Sequence, residues 1–377
     1  MKICILSMQR VSNFGSLLQS YALKRMLEQQ GHVVSFLDIE PNQEDNDLLD
    51  GRKNHFLTEG EASGNLVAKL KKIDKYMINR VRIKYLSRRQ EESFEAFRKN
   101  VLGMRAAEND GQFDCCVIGS DEVFNCMAGA PWGFTTQLFG NVPQAKRVIT
   151  YAASCGATVY PEVPNAARNR IRDAFRNISA FSVRDKNTYN FTAALTDSKV
   201  CEHLDPAFIA DFSKEINGAK IPENLPLRYC VVYSYYNRIC DPQDIRQIIQ
   251  FCKKYNMVPI AVGAPQMWIK TYLVLDPFAM LKVFQDAAFV ITDTFHGTIF
   301  SAKYARRFAV MVRTSNSNKL CDLVYRLGLE NNLISTMDQL DKVYKNNYET
   351  QGVSGIVEAE RSRSMAYFEE NLVEGKL

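Results

Sequence analysis

Short apolar runs alternate with helix-patterned stretches along almost the whole chain, and this alternation limits the fold more than any other feature. Residues 2–6 read as a strand, 11–15 as a polar turn and 16–30 as a helix. Leu17, Leu18, Tyr21, Ala22 and Met26 form that helix's apolar stripe at helical spacing. Gly31 closes it, as a glycine just past a helix end does. Residues 32–37 return as a second strand. A strand, a helix and a strand in this order predict a right-handed crossover between parallel strands. The pattern recurs with strands at 113–118, 147–151 and 180–183 and a helix at 166–177. It recurs again with strands at 229–235, 258–262, 289–292 and 307–312 and helices at 241–255, 277–287 and 297–304. A chain of this kind belongs to the α/β class.

With 377 residues the chain exceeds one ordinary core, so two domains are expected. Residues 212–227 hold Gly218, Pro222 and Pro226 without a sustained period and read as the linker. The expected division is therefore a first Rossmann-like domain over 1–215 and a second over 216–345. A terminal helix within 346–377 is expected to cross back onto the first. Residues 44–64 are acidic and polar and read as a loop. Residues 66–101 read as a long helix rich in Lys and Arg. Its charges predict a solvated face, with contact to an anionic membrane surface as the alternative.

Composition enters mainly by exclusion. Ten cysteines are scattered without a C-x-x-C pair, which argues against a disulfide framework or a zinc site and for reduced thiols in the cytoplasm. The first residues lack the pattern of a signal peptide, and no run approaches the ~18 apolar residues of a transmembrane helix. A net charge of +5 is too mild for nucleic-acid binding without a basic stripe. Phosphate-loop, dinucleotide, zincin and nucleophile-elbow motifs are missing from the sequence.

Ligands of open α/β sheets bind beyond the carboxyl ends of the strands, and the polar residues of this chain cluster there. Asn13 and Gly15 follow the first strand, and Ser120 and Asp121 follow the strand at 113–118. Ser154 follows the next strand, and Arg184 the one after it. In the second half, Asp293, His296, Gly297 and Thr298 stand where a strand runs into a helix. The start of a helix attracts anions through its unpartnered amides and positive dipole end. An imidazole there, one of only four in the chain, adds a proton-transfer group with an ordinary pKa of ~6.5. Each residue also has a plain structural alternative. Asn13 and Asp121 can cap helices, Ser154 can bond locally, Arg184 can pair with a nearby carboxylate, and His296 can be a core histidine.

Several segments, taken in order, resemble the polysaccharide pyruvyl transferase family. They are Asn13-Phe14-Gly15-Ser16-Leu17-Leu18-Gln19, Gly119-Ser120-Asp121-Glu122-Val123-Phe124-Asn125, and Tyr151-Ala152-Ala153-Ser154-Cys155-Gly156. After them come Ser182-Val183-Arg184-Asp185, Leu204-Asp205-Pro206 and Asp293-Thr294-Phe295-His296-Gly297-Thr298. The resemblance implies a GT-B glycosyltransferase-like chain, with two Rossmann-like domains facing across a cleft. It implies transfer of the enolpyruvyl group of phosphoenolpyruvate to a sugar, leaving a pyruvate ketal on a capsule or exopolysaccharide precursor. Phosphoenolpyruvate enters as co-substrate, with no other cofactor and no metal. The acceptor is a sugar, in some members carried on a polyprenyl-diphosphate lipid, which implies peripheral contact with the inner membrane surface. Carried onto this sequence, the catalytic residues are His296 and Asp121. The donor is bound by Arg184, Gly297, Thr298, Ser154, Asn13 and Gly15, and the acceptor by Ser120, Asn125, Glu122 and Phe124.

The sequence departs from the family pattern in two places. Glu122 and Phe124 stand where the family often has Gln and Trp. Thr294-Phe295 replaces the Arg-Leu of some branches, which removes a donor-binding arginine. Arg184 is the first expected replacement, with Lys186 and Arg313 behind it. A nucleotide-sugar-dependent glycosyltransferase and a non-catalytic glycan-binding protein are the competing readings.

Overall fold

The computed structural model describes residues 1–49, 69–104, 111–127, 129–313, 317–346 and 353–373. They form two compact units. The first holds 1–49, 98–104, 111–127, 129–210 and 354–373; the second holds 69–97, 211–313, 317–346 and 353.

The first unit is built on six strands: β1 (Lys2–Leu6), β2 (Val33–Phe36), β3 (Cys115–Asp121), β4 (Val148–Ala153), β5 (Ile178–Val183) and β6 (Val200–Glu202). Their order is β2-β1-β3-β4-β5-β6, and every pairing is parallel. β3 and β4 are buried along their whole length. Strands covered on both faces need side chains that are apolar or small throughout, which is why these runs do not alternate. The order reverses direction between β1 and β3, and such a switch point opens a crevice at the carboxyl edge. Helix α1 (Phe14–Gln29) starts there. Its N-cap Asn13 accepts the Ser16 amide at 2.7 Å, and Leu17, Leu18, Ala22, Leu23 and Met26 are buried against the sheet. Gly31, at φ 83°, ends it.

The further α-helices among the described residues are α2 (Gln43–Asp47), α3 (Lys69–Phe97), α4 (Asn165–Phe175), α5 (Lys186–Ala193), α6 (Pro206–Ile209), α7 (Ser213–Gly218), α8 (Pro242–Lys254), α9 (Pro277–Asp286), α10 (Phe295–Tyr304), α11 (Ser317–Leu327), α12 (Leu340–Lys345) and α13 (Val353–Asn371). The second unit's strands are β7 (Tyr229–Ser234), β8 (Val258–Gly263), β9 (Thr271–Tyr272), β10 (Phe289–Thr292), β11 (Phe308–Met311) and β12 (Leu333–Ile334). Their order is β12-β11-β10-β7-β8-β9, again all parallel. This is the doubly wound order of dinucleotide-binding folds, with the switch point between β7 and β10.

Several boundaries differ from the sequence reading. The structure divides the chain between Ala210 and Asp211, and residues 212–227 contain α7 rather than a plain linker. α3 belongs with the second unit although it precedes it in sequence. Gln90 and Ser93 hydrogen-bond the Leu275 carbonyl at 2.7 and 3.1 Å, and Phe97 meets Phe278 edge-on at 5.2 Å. α13 belongs with the first unit. There the Tyr151 hydroxyl donates to Ser364 Oγ at 2.8 Å, and Tyr367 donates to the Thr150 carbonyl at 2.8 Å.

The segment read as a loop at 44–64 begins inside α2, and residues 50–68 lie outside the described residues. Asp45 of α2 is fully buried. It accepts the Thr136 amide at 2.7 Å and hydroxyl at 2.8 Å and pairs with Arg170 at 2.9 Å. Those partners lie about ninety or more residues away, so local composition carried no sign of them. All ten cysteines are free thiols, and seven are buried. Among the described residues no helix is long and apolar enough to cross a membrane.

Candidate functional sites at the two carboxyl edges

In the first unit the edge is organised around one arginine. Arg184 follows β5 and is only 3% exposed. Its Nη1 lies 2.8 Å from Asp205 Oδ2 and 3.6 Å from Asp121 Oδ1. Asp205 is fully buried. Its Oδ2 also accepts from Ser120 Oγ at 3.1 Å, and its Oδ1 caps α6 through the Ala207 amide at 2.9 Å. Asp121 Oδ2 accepts from Ser16 Oγ at 2.8 Å. Ser154 Oγ donates to Asp185 Oδ2 at 2.7 Å, and Asp185 in turn caps α5 through the Thr188 amide. Burial alone favours a neutral Arg184, but the carboxylates of Asp205, Asp121 and Asp185 outweigh it and hold the guanidinium more firmly protonated than in water.

Local backbone geometry supports this arrangement. Gly119 sits at φ 130°, and a Cβ there would overlap the Tyr151 carbonyl oxygen of the neighbouring strand. Asp121 follows at φ 76°, a left-handed conformation that non-glycine residues rarely adopt and that costs on the order of 1–3 kcal/mol. The surrounding hydrogen bonds hold it there and keep its carboxylate at the edge, 8% exposed.

The structure therefore brings Asp121, Arg184, Ser120 and Ser154 together, but not all in the roles expected. Arg184 faces three carboxylates, so it offers little net attraction to an anionic donor; it positions Asp121 and Asp205. Ser120 is fully buried, with its hydroxyl on Asp205 and the Ala152 carbonyl. Phe124, expected on the acceptor side, packs in the hydrophobic core of the first unit. It is fully buried, stacked on Phe139 at 5.2 Å and 15° and packed on Phe175 at 5.2 Å. Its aromatic character was legible, but only packing shows that it serves the core. Glu122 and Asn125 are half-buried and bonded to each other at 2.7 Å, and Asn125 also accepts from Thr158 at 2.7 Å. Asn13 caps α1, and Gly15 is buried in its first turn.

The second unit's edge has the opposite character. Ser234 ends β7 and donates to Asp293 Oδ1 at 2.7 Å, across the switch point. Asp293 is 1% exposed. Its Oδ2 receives two arginines, Arg313 Nε at 3.2 Å and Arg238 Nε at 3.4 Å. The side chains of Arg238 and Arg313 keep 24% and 26% of their surface exposed. Asp244 also feels this cluster: burial pushes its carboxyl up, and Arg313 pulls it back down. With Asp244 counted, two arginines face two carboxylates, so the charges of the cluster balance.

α10 begins beside this cluster in sequence. Thr294 caps it by accepting the Gly297 amide at 3.0 Å. Thr298 gives both its amide, at 3.0 Å, and its hydroxyl, at 2.9 Å, to the Thr294 carbonyl. Gly297 and Thr298 are buried, and their amides are already bonded within the first turn of the helix. A Cβ at Gly297 would overlap the Thr292 hydroxyl, so packing explains the glycine. His296 is half-buried, stacked near Phe300 at 6.1 Å and 23° and edge-on to Phe295 at 5.5 Å. Arg238 was missed in the sequence, and Arg313 was ranked low. The signal was available: Arg238 lies four residues past β7 and Arg313 two past β11, at the same carboxyl edge. Among the described residues no group of three or more His, Cys, Asp or Glu side chains could hold a metal ion.

Two doubly wound parallel α/β units, each with polar groups at its switch point, define the architectural class. Solved structures with similar folds include Staphylococcus aureus MnaA with UDP, at 11% identity and a TM-score of 0.48, covering 100% of this chain and 99% of that one. Another is the Streptomyces sp. SF2575 glycosyltransferase SsfS6 with thymidine diphosphate, at 10% identity and a TM-score of 0.47, covering 98% and 99%. A third is UDP-GlcNAc 2-epimerase from Methanocaldococcus jannaschii, at 10% identity and a TM-score of 0.44, covering 92% of each chain. No curated protein matches by sequence. The family model for polysaccharide pyruvyl transferase matches residues 13–315, and the chain belongs to that family of transferases.

Proposed function

We propose that this protein moves the enolpyruvyl group of phosphoenolpyruvate onto a sugar of a cell-surface polysaccharide precursor and closes it into a pyruvate ketal. The observation that carries the reading is the pair Arg238 and Arg313 on buried Asp293, in the unit whose α10 presents His296. Phosphoenolpyruvate carries a phosphate and a carboxylate on three carbons. Two partly exposed guanidinium groups lie side by side there, and their planar forks suit both anions. They replace the arginine that Thr294 displaces, a role the sequence reading gave first to Arg184.

The remaining roles follow from chemistry. His296 gives a proton to C3 of the enol, which leaves C2 electrophilic. A sugar hydroxyl oxygen bonds to C2 and loses its proton, and Asp121 is the proposed acceptor of that proton. The C2–O bond to phosphate breaks, and phosphate departs with the bonding pair. A second hydroxyl then bonds to C2, loses its proton and closes the ketal. Arg184, whose Nη1 lies 3.6 Å from Asp121 Oδ1, helps to hold that carboxylate in place. Glu122 and Asn125, half-buried beside that edge, are the proposed acceptor contacts.

The test is mass spectrometry of a glycan panel mixed with protein and phosphoenolpyruvate. A gain equal to pyruvate less water, with phosphate released, is the expected result. Binding of a nucleotide sugar with no such gain would replace this reading with a glycosyltransferase. Sugar binding with no phosphate released would replace it with a glycan-binding role. An acceptor on a polyprenyl diphosphate would bring the protein to the inner membrane surface, which flotation with anionic vesicles tests.

A further inference from the structure

The first unit has a second concave feature, at the opposite end of its sheet from Asp121. It is a cavity of about 550 Å³, inside the ~300–1,000 Å³ range of small-ligand sites. Its wall is laid down where strands begin. The Gln144 carbonyl and the Lys146 amide pair with Phe113 just before β3, Val148 opens β4, and Asn177 immediately precedes β5. Seven-residue β3 separates this end from the Asp121 edge by roughly 20 Å at the usual rise per residue.

The chemistry of the wall is specific. Its formal charges are Glu40 and Lys146, and Lys146 is already paired with Asp114 at 3.0 Å. A phosphorylated or carboxylated ligand therefore finds no unmatched cation. Five carboxamides line the cavity instead. Two serve the fold: Gln137 bonds the Glu40 amide and the Asp38 carbonyl, and Asn42 caps α2. Three remain available. Asn141 makes one long bond to Thr136 at 3.4 Å, and neither Gln144 nor Asn177 makes a side-chain hydrogen bond to the described residues. Gln144 Oε1 is buried without a partner. A buried acceptor without a donor is costly and marks a missing partner.

We infer that this cavity is a second binding site, for a neutral saccharide, separate from the site of transfer. A carboxamide both donates and accepts, as does a sugar hydroxyl, so three free amides match a polyol better than any ion. Pro41, Val142 and Pro143 supply the small apolar surface that a sugar's C–H face covers. At that distance from Asp121, the site holds a stretch of glycan rather than the reacting residue. Saccharide binding follows from the wall's chemistry alone; its separation from the site of transfer rests on the role proposed for Asp121.

The test is saturation-transfer NMR on the full-length protein with neutral hexose trisaccharides, and with a hexose phosphate for comparison. Wild type is expected to transfer saturation to a neutral trisaccharide, and Gln144→Leu/Asn177→Ala to reduce it several-fold with an unchanged melting temperature. Catalysis on a short acceptor should be unaffected by the double variant, so failure here and failure of the transferase reading are separate outcomes. Should the double variant unfold, the exposed Asn141→Ala gives the same readout. The inference is overturned by the absence of transfer to any neutral trisaccharide in wild type. Equal transfer in a folded variant, or stronger transfer to the hexose phosphate, would overturn it too.

Discussion

The two carboxyl edges use arginine in opposite ways. At the first, one buried guanidinium is surrounded by Asp205, Asp121 and Asp185. At the second, two partly exposed guanidinium groups share Asp293. A buried arginine among carboxylates is a structural strut, because removing it strands charges in a medium that cannot solvate them. The two arginines on Asp293 instead keep about a quarter of their side-chain surface in contact with water. The sequence shows three arginines, each shortly after a strand. Burial and partner count make one a strut and leave two sharing a single carboxylate, the pair proposed to seat the donor.

The largest expected effect lies outside this contrast and sets its scale. His296→Ala should lose about 10²–10⁴ in kcat, the usual worth of a positioned acid or base, with the fold intact. A near wild-type kcat in pyruvyl transfer would remove His296 from the chemistry. The contrast itself is broken or sharpened by paired variants. Arg184→Ala should destabilise the first unit by about 3–5 kcal/mol, measured by urea unfolding, because Asp205 is left buried without its cation. Arg313→Ala should leave the unfolding midpoint almost unchanged while weakening phosphoenolpyruvate binding about 10–100-fold, as loss of a charge-assisted bond implies. If instead Arg184→Ala folds normally and loses only donor affinity, the two edges exchange roles.

The smallest effect concerns a surface ion pair in the second unit. Hydrogen bonds from Lys254, Lys345 and Tyr255 hold the Asp341 carboxyl well below the usual carboxylate range. A depressed folded pKa adds stability above the unfolded value, near 3.9, and loses it as pH falls through the folded value. Asp341→Asn should therefore lower the melting temperature slightly at neutral pH, by an exposed pair's small worth. The gap to wild type should shrink as the pH drops into the acid range. A constant gap across pH would show that the carboxylate's charge is not what contributes.

Much of the architecture was legible because strands and helices leave local marks. The apolar runs at 2–6 and 289–292, the Asn13 cap and Gly31 all act within a few residues, so periodicity and end signals reveal them. Carboxyl-edge positions were legible too, since any polar residue just past a parallel strand lies there. That rule found Asp121, Arg184 and His296 but could not rank them. Phe124 and Ser120 sit in the same motif as Asp121, yet one faces the core and the other is locked onto Asp205. A one-residue step along an irregular segment reverses which way a side chain points, and composition does not record it.

The sequence by itself determined the α/β class, the presence of two units and the family, because each is written in local order and motif. Tertiary structure alone decided the rest. It placed α3 with residues more than a hundred positions later, gave Asp45 its distant partners, and set how many carboxylates surround each arginine. The physical reason is that secondary structure depends on neighbours in the chain. The usable charge of a side chain depends on neighbours in space, and on how much water reaches them.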